Sequence, residues 1–355
     1  MKKLKVVVAA VLIIVSFIVL YFITIVIIGV INDYQPDKIT ELTVVNNSDN
    51  NIINDYEFTL LTWNIGFGGL GAEMDFFYDG GKMVKPAAER AEKYLNGVLN
   101  YLKSSDTIDF ILLQEVDRNS ARTRRKNQIE MIRQVLPEYS YSFAVNYKVP
   151  YVPLPLFNPL GRIEMGQLNF SRYSPKKSVR YSYSSAYSWP KRFFMLDRCF
   201  VVSRYQHENG KELVVINTHN SAYDKKGKLR TIEMPEIKNF MLEEFNNGNH
   251  VIAGGDWNQN PPGYKITELD APYQGVTREF LESSLFPEDW RILYDRKNPT
   301  NREINAPFSI DDTEVTIIDF FIVSPNVEVQ EIKTMSQKFS FSDHEPVIVK
   351  ISLNK

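Results

Sequence analysis

Val251-Ile252-Ala253-Gly254-Gly255-Asp256-Trp257-Asn258 is the stretch from which the rest of the chain can be read. A short apolar run rich in β-formers stops at two glycines, the pattern of a buried strand ending at a turn. Past the glycines the chain presents a carboxylate and an amide two residues apart. Residues i and i+2 of an extended segment point to the same side, so Asp256 and Asn258 can face one spot together. Oxygens gathered at a strand end suit a hard cation or a water being activated. Taken alone, the octapeptide reads equally as a strand followed by a Gly-Asp turn. The partners supplied elsewhere in the chain decide between the two.

Upstream, 57–64 alternates like a strand and then meets Gly66, Gly68, Gly69 and Gly71, so a strand delivers Asn64 to a loop. A helix is predicted over 86–103, with Tyr94, Leu95, Val98, Leu99 and Leu102 on one face. The run 110–113 reads as a fully buried strand with Glu115 at its C-terminal end, where open α/β sheets collect ligands. By itself such a carboxylate is either a surface exit or a metal ligand. Segment 141–146 alternates like a strand. The following 147–161 carries Pro150, Pro153, Pro155 and Pro159 among aromatics and leucines, which predicts a long loop. Another strand is expected over 166–173.

Segments 198–203 and 212–217 form a predicted hairpin around Glu208-Asn209-Gly210-Lys211, the Asn-Gly pair being the turn signal. Its second arm delivers His219, one of four histidines, which alone reads as readily as a structural histidine. A helix over 228–246 leads back to the opening octapeptide. Near the end, 315–324 sets Asp319 inside an apolar strand. An unpaired buried carboxylate is costly, so Asp319 requires a partner. His344, in Ser342-Asp343-His344-Glu345-Pro346 just before a final strand over 347–353, is the natural one.

The 355 residues suffice for one large domain or two ordinary ones, and no internal repeat is seen. A net charge of −2 argues against coating nucleic acid through bulk electrostatics, though a local basic groove is compatible with it. Cys199 is the single cysteine, which excludes an intrachain disulfide. Lys2, Lys3 and Lys5 precede an uncharged apolar run over 6–31, longer than the roughly 20 residues that cross a bilayer core. No small-x-small cleavage site follows, so an uncleaved signal anchor is expected. The basic flank stays inside and the remainder faces outward, a single-pass protein of the cell membrane. The polar stretch 32–56, including Asn46-Asn47-Ser48-Asp49-Asn50-Asn51, reads as a flexible tether with a reach of about 25–30 Å. The expected organisation is a cytoplasmic flank 1–5, an anchor 6–31, a linker 32–56 and a catalytic domain 57–355.

Six motifs in this order resemble the endonuclease/exonuclease/phosphatase, or deoxyribonuclease-I-like, superfamily. They are Trp-Asn at 63–64, Gln-Glu-Val at 114–116, Asn-Thr-His at 217–219, Gly-Asp-Trp-Asn at 255–258, Ile-Asp-Phe at 318–320 and Ser-Asp-His-Glu-Pro at 342–346. Each is weak singly; together, each in or at the end of a predicted strand, they carry the resemblance over about 57–353. It implies an α/β fold, a four-layer sandwich of two mixed β-sheets flanked by helices. It also implies roles: Glu115 as the principal Mg2+ ligand with Asn64 beside it, and Asp343 close to the metal. Asp256 would orient or deprotonate the attacking water and Asn258 would hold the phosphate. His219 and His344 would stabilise charge on phosphoryl oxygens, with Asp319 orienting His344. Mn2+ is the expected substitute for Mg2+.

The chemistry agrees, because phosphoester hydrolysis needs an in-line water, a cation and donors for spreading negative charge. A site with one Glu suits Mg2+, which takes few carboxylates and keeps several waters. For substrate, Arg118, Arg122, Arg124, Arg125 and Lys126 flank a predicted helix start, where cations oppose the macrodipole; they serve an external anion or form a solvated basic turn. Arg122 from this cluster and Arg172 from the 166–173 strand are the candidate substrate-binding cations. The Pro-rich loop, with Tyr181, Tyr183, Tyr187, Trp189, Phe193 and Phe194, would pack inward, rest on a bilayer or stack on the bases of a single strand. The expected function is a membrane-anchored, outward-facing phosphoesterase acting on a phosphodiester of nucleic acid, a lipid headgroup or a small ester. The alternative is a non-catalytic surface module that keeps the fold and binds a partner.

Overall fold

Leu60 and Leu61 are neighbours in sequence and both fully buried, on opposite faces of one strand. A strand buried on both faces lies in the middle of a stack, and the domain is layered around that requirement. The structure is a computed structural model and describes residues 2–48, 52–105 and 107–354. Strands β1 (Glu57–Asn64), β2 (Phe110–Asp117), β3 (Ser140–Val152) and β4 (Gly161–Ser171) begin the first sheet. The second is built mainly from β5 (Lys177–Ser182), β6 (Cys199–His207), β7 (Glu212–His219), β8 (His250–Asp256) and β9 (Asp319–Val323), in that spatial order. Strands β10 (Val327–Thr334) and β11 (Val347–Leu353) return to the first, whose order is β10-β11-β1-β2-β4-β3.

Both sheets are mixed. The β1–β2 and β7–β8 pairs are parallel, and their outer neighbours run antiparallel. Leu60, Leu112, Val215, Ile252 and Val349 fill the space between the sheets. Helix α1 (Lys2–Ile31) stands outside the sandwich, while α2 (Ala88–Lys103) and α3 (Gln128–Val135) cover the first sheet. There Leu95, Val98, Leu102 and Ile132 meet Leu61, Trp63 and Ile111. Helix α4 (Arg230–Asn246) lays Met234, Ile237 and Met241 on the outer face of the second sheet. The layers therefore run helix, sheet, sheet, helix. The parallel pairs bring the C-terminal ends of β1, β2, β7 and β8 together at one end of the sandwich.

Residues Lys3–Ile31 form a helix long and apolar enough to cross a membrane, and it is exposed along most of its length. Ile25 and Gly29, four residues apart and so on one face, are buried.

Two expectations change. Segment 32–56 is not a free tether: Ile39–Glu41 pairs with β5, Val44–Val45 with β3, and Ile52–Ile53 with β6. Short β-branched runs inside a polar stretch are enough to add strands to edges that already exist. Asp49-Asn50-Asn51 of that stretch lie outside the described residues. The second change concerns the Pro-rich segment. Strand β3 continues to Val152, taking Pro150 at an irregularity in its pairing with β4 between Val149 and Val152. A bulge is where a strand tolerates a residue without an N–H. Only 153–160 remains as a turn.

Candidate active site

The two glycines before Asp256 are a packing requirement. A Cβ on Gly255 would lie 2.0 Å from the Thr218 carbonyl oxygen, and one on Gly254 would lie 2.3 Å from Phe321 Cε1. Without side chains there, β8 presses between β7 and β9. Register then aligns three functional groups across adjacent strands: His219 opposite Asp256, and Asp256 opposite Asp319. The His219 Nε2 to Asp256 Oδ2 distance is 3.5 Å. Past the strand, Asn258 takes a φ of 53° and donates its backbone N–H to Asp256 Oδ1 at 3.0 Å. Its side-chain Nδ2 donates to the Asn220 carbonyl at 3.0 Å.

The first sheet contributes the facing groups. Strand β2 shifts register between Leu113 and Val116, and Glu115 within that bulge has a φ of 56°. Bulges re-aim side chains, and Glu115 Oε1 comes 3.4 Å from Asn64 Nδ2 and 4.0 Å from His219 Nε2. Asn64 Nδ2 also donates to Asp256 Oδ2 at 3.1 Å, while its Oδ1 accepts from the Gly66 N–H at 3.0 Å. Asn64 thus bridges the two carboxylates as a donor. Ser342 Oγ donates to the Asn64 carbonyl at 2.8 Å, which pins the Ser342-Asp343-His344 loop to the end of β1. Gly66 has a φ of 49°, and a Cβ there would sit 2.7 Å from Asp343 Oδ1. Glycine is needed at that position for both reasons.

Asp319 has the partner its burial demands. His344 Nδ1 donates to Asp319 Oδ2 at 2.8 Å, leaving Nε2 3.8 Å from Asp256 and 4.0 Å from Asp343. Desolvation works against charging His344, but Asp319, Asp256 and Asp343 outweigh it and raise its pKa. His219 goes the other way: burial, with Arg198 and His344 nearby, holds it well below the usual imidazole range, as a neutral ring. Desolvation pushes Glu115 up to about 7, with Asp343 adding to the rise and Arg122, His344 and Arg198 opposing it.

Asn64, Glu115, His219, Asp256, Asn258, Asp319, Asp343 and His344 thus come together. Arg122 and Arg172 do not join them as substrate contacts. The Arg122 fork grips Asp117 at 3.0 and 3.1 Å and lies 3.6 Å over the Phe67 ring, with only 4% exposure. Its effect on the site is through space, on Glu115. Arg172 is exposed just beyond Ser171, which pairs with Phe110 at the start of β2, five residues before Glu115. At about 3.3 Å per residue that is the far end of the strand, about 17 Å away. Sequence reasoning missed Arg198, which is buried, donates to the His219 carbonyl at 3.4 Å and bears on Glu115 and His219. It also missed Asn301, whose Nδ2 lies 3.1 Å from His344 Nε2. Neither residue sits in a recognisable motif.

The donor set fits a divalent cation. Glu115, Asp256, Asp319 and Asp343 converge, with Arg122, Arg198 and His344 among the positive groups within electrostatic reach. At Glu115 burial outweighs those positive groups and raises the pKa to about 7. Asp256, Asp319 and His344 also offer ligand atoms within 4.8 Å of one another. Because His344 Nδ1 is committed to Asp319, Glu115 and Asp343 are the freer oxygen donors.

Comparison with known proteins agrees with this geometry. The profile of the Endonuclease/Exonuclease/phosphatase family matches residues 61–344. No curated protein matches the sequence. Among solved structures, an endonuclease/exonuclease/phosphatase from Beutenbergia cavernae is similar at 15% identity and a TM-score of 0.52, over 84% of this chain and 72% of its own. One from Bacteroides vulgatus is similar at 16% identity and a TM-score of 0.51, over 84% of this chain and all (100%) of its own. The human Nocturnin catalytic domain with bound sulfate is similar at 15% identity and a TM-score of 0.52, covering 88% of this chain and 97% of its own. Enzymes of this family are hydrolases that act on phosphoesters with a divalent metal. The chain, matched by the family profile along most of its length, belongs to the endonuclease/exonuclease/phosphatase family.

Proposed function

We propose that this hydrolase is anchored by α1 in the cell membrane, faces outward, and cleaves a phosphodiester with Mg2+, for which Mn2+ substitutes. One observation carries the reading: polar groups from both sheets and two loops, scattered from Asn64 to His344, meet at one end of the sandwich. Glu115 and Asp343 would hold the ion, and Asn64 would keep the Glu115 and Asp256 carboxylates in place. The bound ion supplies positive charge that screens the phosphate and polarises its P–O bonds.

The remaining steps belong to the chain. Asp256, fixed by Asn64 and the Asn258 N–H, orients the water and takes its proton. The water oxygen bonds to phosphorus, the opposite P–O ester bond breaks, and the leaving oxygen is protonated from solvent. His344, kept charged by Asp319, donates from Nε2 to a phosphoryl oxygen as negative charge spreads. Neutral His219 donates a second hydrogen bond, and Asn258 holds the phosphate. Lys2, Lys3 and Lys5 on the cytoplasmic side support the outward orientation.

The test is turnover of bis(p-nitrophenyl) phosphate by the full chain in detergent with Mg2+ or Mn2+. Activity should vanish with EDTA and in Glu115→Gln; a folded, metal-loaded protein that turns over no phosphoester sinks the reading. Protease added to intact cells should degrade the domain. Protection until lysis would reverse the orientation.

A further inference from the structure

Four large apolar side chains near the catalytic end face solvent: Leu154 at 43% exposure, Leu156 at 49%, Phe157 at 101% and Trp189 at 69%. Leu154, Leu156 and Phe157 form the 153–160 turn between β3 and β4. Trp189 belongs to the segment between β5 and β6. Exposed apolar side chains gathered on one turn mark an interaction surface, and the position of both elements relative to α1 says what covers them.

Both elements are seated on α1. Tyr151, at the end of β3, interacts with Tyr21 of the helix. Gly29 packs so closely on the segment after Trp189 that a Cβ there would lie 3.1 Å from Phe193 Cβ and 3.4 Å from Phe194 Cζ. Arg192 pairs with Asp33 at 3.3 Å, just past the helix end. Tyr21, Ile25 and Gly29 are spaced by four, so one helix face meets the domain. Counted from Val6, about 20 residues cross a hydrocarbon core of about 30 Å, which sets the outer boundary near Ile25. Tyr21 lies one turn deeper than that level. Tyr151 and the turn that follows it are therefore alongside the part of α1 that would sit in the outer leaflet.

Hydrogen bonds tie the same two elements to the catalytic end. Tyr78 Oη donates to the Leu154 carbonyl at 2.7 Å, and the next residue, Asp79, accepts from Tyr223 Oη at 2.9 Å. Asp79 and Tyr223 are within electrostatic reach of Asp343, and Tyr223 also of Glu115. From the second element, Tyr187 Oη donates to the carbonyl of Ala222, the neighbour of Tyr223, at 2.6 Å, and Lys191 Nζ lies 4.6 Å over the Tyr187 ring. Lys191 and Arg192 are exposed, as cations facing headgroup phosphates need to be.

From this placement we infer that the 153–160 turn and Trp189 embed in the outer leaflet beside α1, and that the catalytic end near them takes the phosphodiester of a phospholipid headgroup. The inference rests on the anchored phosphoesterase reading above. Water attacks the headgroup phosphorus and one P–O ester bond breaks, with protons placed as already described.

The test uses the full chain in vesicles of phosphatidylcholine, phosphatidylethanolamine and phosphatidylglycerol with Mg2+. Three of its tryptophans are buried (Trp63 0%, Trp257 0%, Trp290 6%), so quenching by phosphatidylcholine brominated on its acyl chains reports Trp189. We expect quenching, headgroup release, and a loss of lipid turnover of about tenfold or more in the Leu156→Ser/Phe157→Ser/Trp189→Ser triple variant. That variant should leave bis(p-nitrophenyl) phosphate turnover unchanged, because these exposed residues touch no catalytic group. Turnover of the soluble diester without lipid release, or a preference for DNA or RNA, overturns the lipid assignment and leaves the phosphoesterase standing. Lipid release with Trp189 unquenched overturns the embedding. No turnover of either ester defeats the underlying reading itself.

Discussion

His219 and Asp256 are register partners on adjacent parallel strands, with Nε2 and Oδ2 only 3.5 Å apart. Their juxtaposition is fixed by backbone pairing rather than by loop conformation, so it is preorganised before substrate arrives. Asp256→Asn should lower kcat by about 10²–10⁴, the range for loss of a positioned base, with Tm little changed. Steady-state kinetics alongside thermal melts distinguish this from unfolding.

The charge on His344 depends on Asp319, 2.8 Å away and fully buried. Asp319→Asn keeps the shape and removes the charge, so the His344 pKa should fall toward the ordinary imidazole range. Histidine side-chain NMR titration reads that shift directly. Asp319→Ala should also cost about 3–5 kcal/mol of stability, as breaking a buried pair does.

Glu115, at about 7, sits above its ordinary carboxyl value of 4.5. Between those values the folded chain holds a proton that the unfolded chain has released. This group's contribution to metal-free stability is therefore complete below the lower value and gone above the upper one. A divalent ion competes with that proton. The Tm increase produced by Mg2+ should be small near about pH 5.5 and grow as pH rises through about 7. Calorimetry at several pH values checks it, and an increase independent of pH would remove Glu115 as the ligand.

Gly255→Ala would bring a methyl group to 2.0 Å from the Thr218 carbonyl. Forcing β7 and β8 apart should cost about 1–3 kcal/mol or more. Chemical denaturation measures the loss, and activity should fall with it because the same pairing aligns His219 with Asp256.

Arg172→Ala should leave kcat/KM within about twofold, since an exposed side chain at the wrong end of β2 makes no contact with the reaction. Arg122→Ala should destabilise by about 3–5 kcal/mol, because Asp117 is left buried and unpaired.

These two arginines show where reading the sequence stops. Strand ends carrying Asn64, Glu115, His219 and Asp256 are legible because an apolar run followed by one polar residue marks both the element and its exit. The cost of burying Asp319 without a partner points to His344 in the same way. For Arg172 the strand was recognised, but its usefulness depends on direction. Strand β4 runs antiparallel to β2, which carries its last residues away from the catalytic end. For Arg122, a turn over Ala121–Thr123 brings the guanidinium back onto Asp117, a three-dimensional pairing that a cluster of basic letters conceals. Arg198 left no signal, because one arginine before an apolar strand looks like any solvated charge. The pairs Val44–Val45 and Ile52–Ile53 were too short for periodicity to register.

Those short pairs bear on how the enzyme should be prepared. Ile39–Glu41 and Val44–Val45 cap outer strands of the two sheets, β5 and β3 respectively. Trimming the gene to begin at Glu57, where the first long strand starts, would strip both caps and bare two rows of unpaired amides and carbonyls. Such edges recruit neighbours, and the shortened product should precipitate. Beginning instead near Pro36 removes the greasy helix and keeps both seams closed.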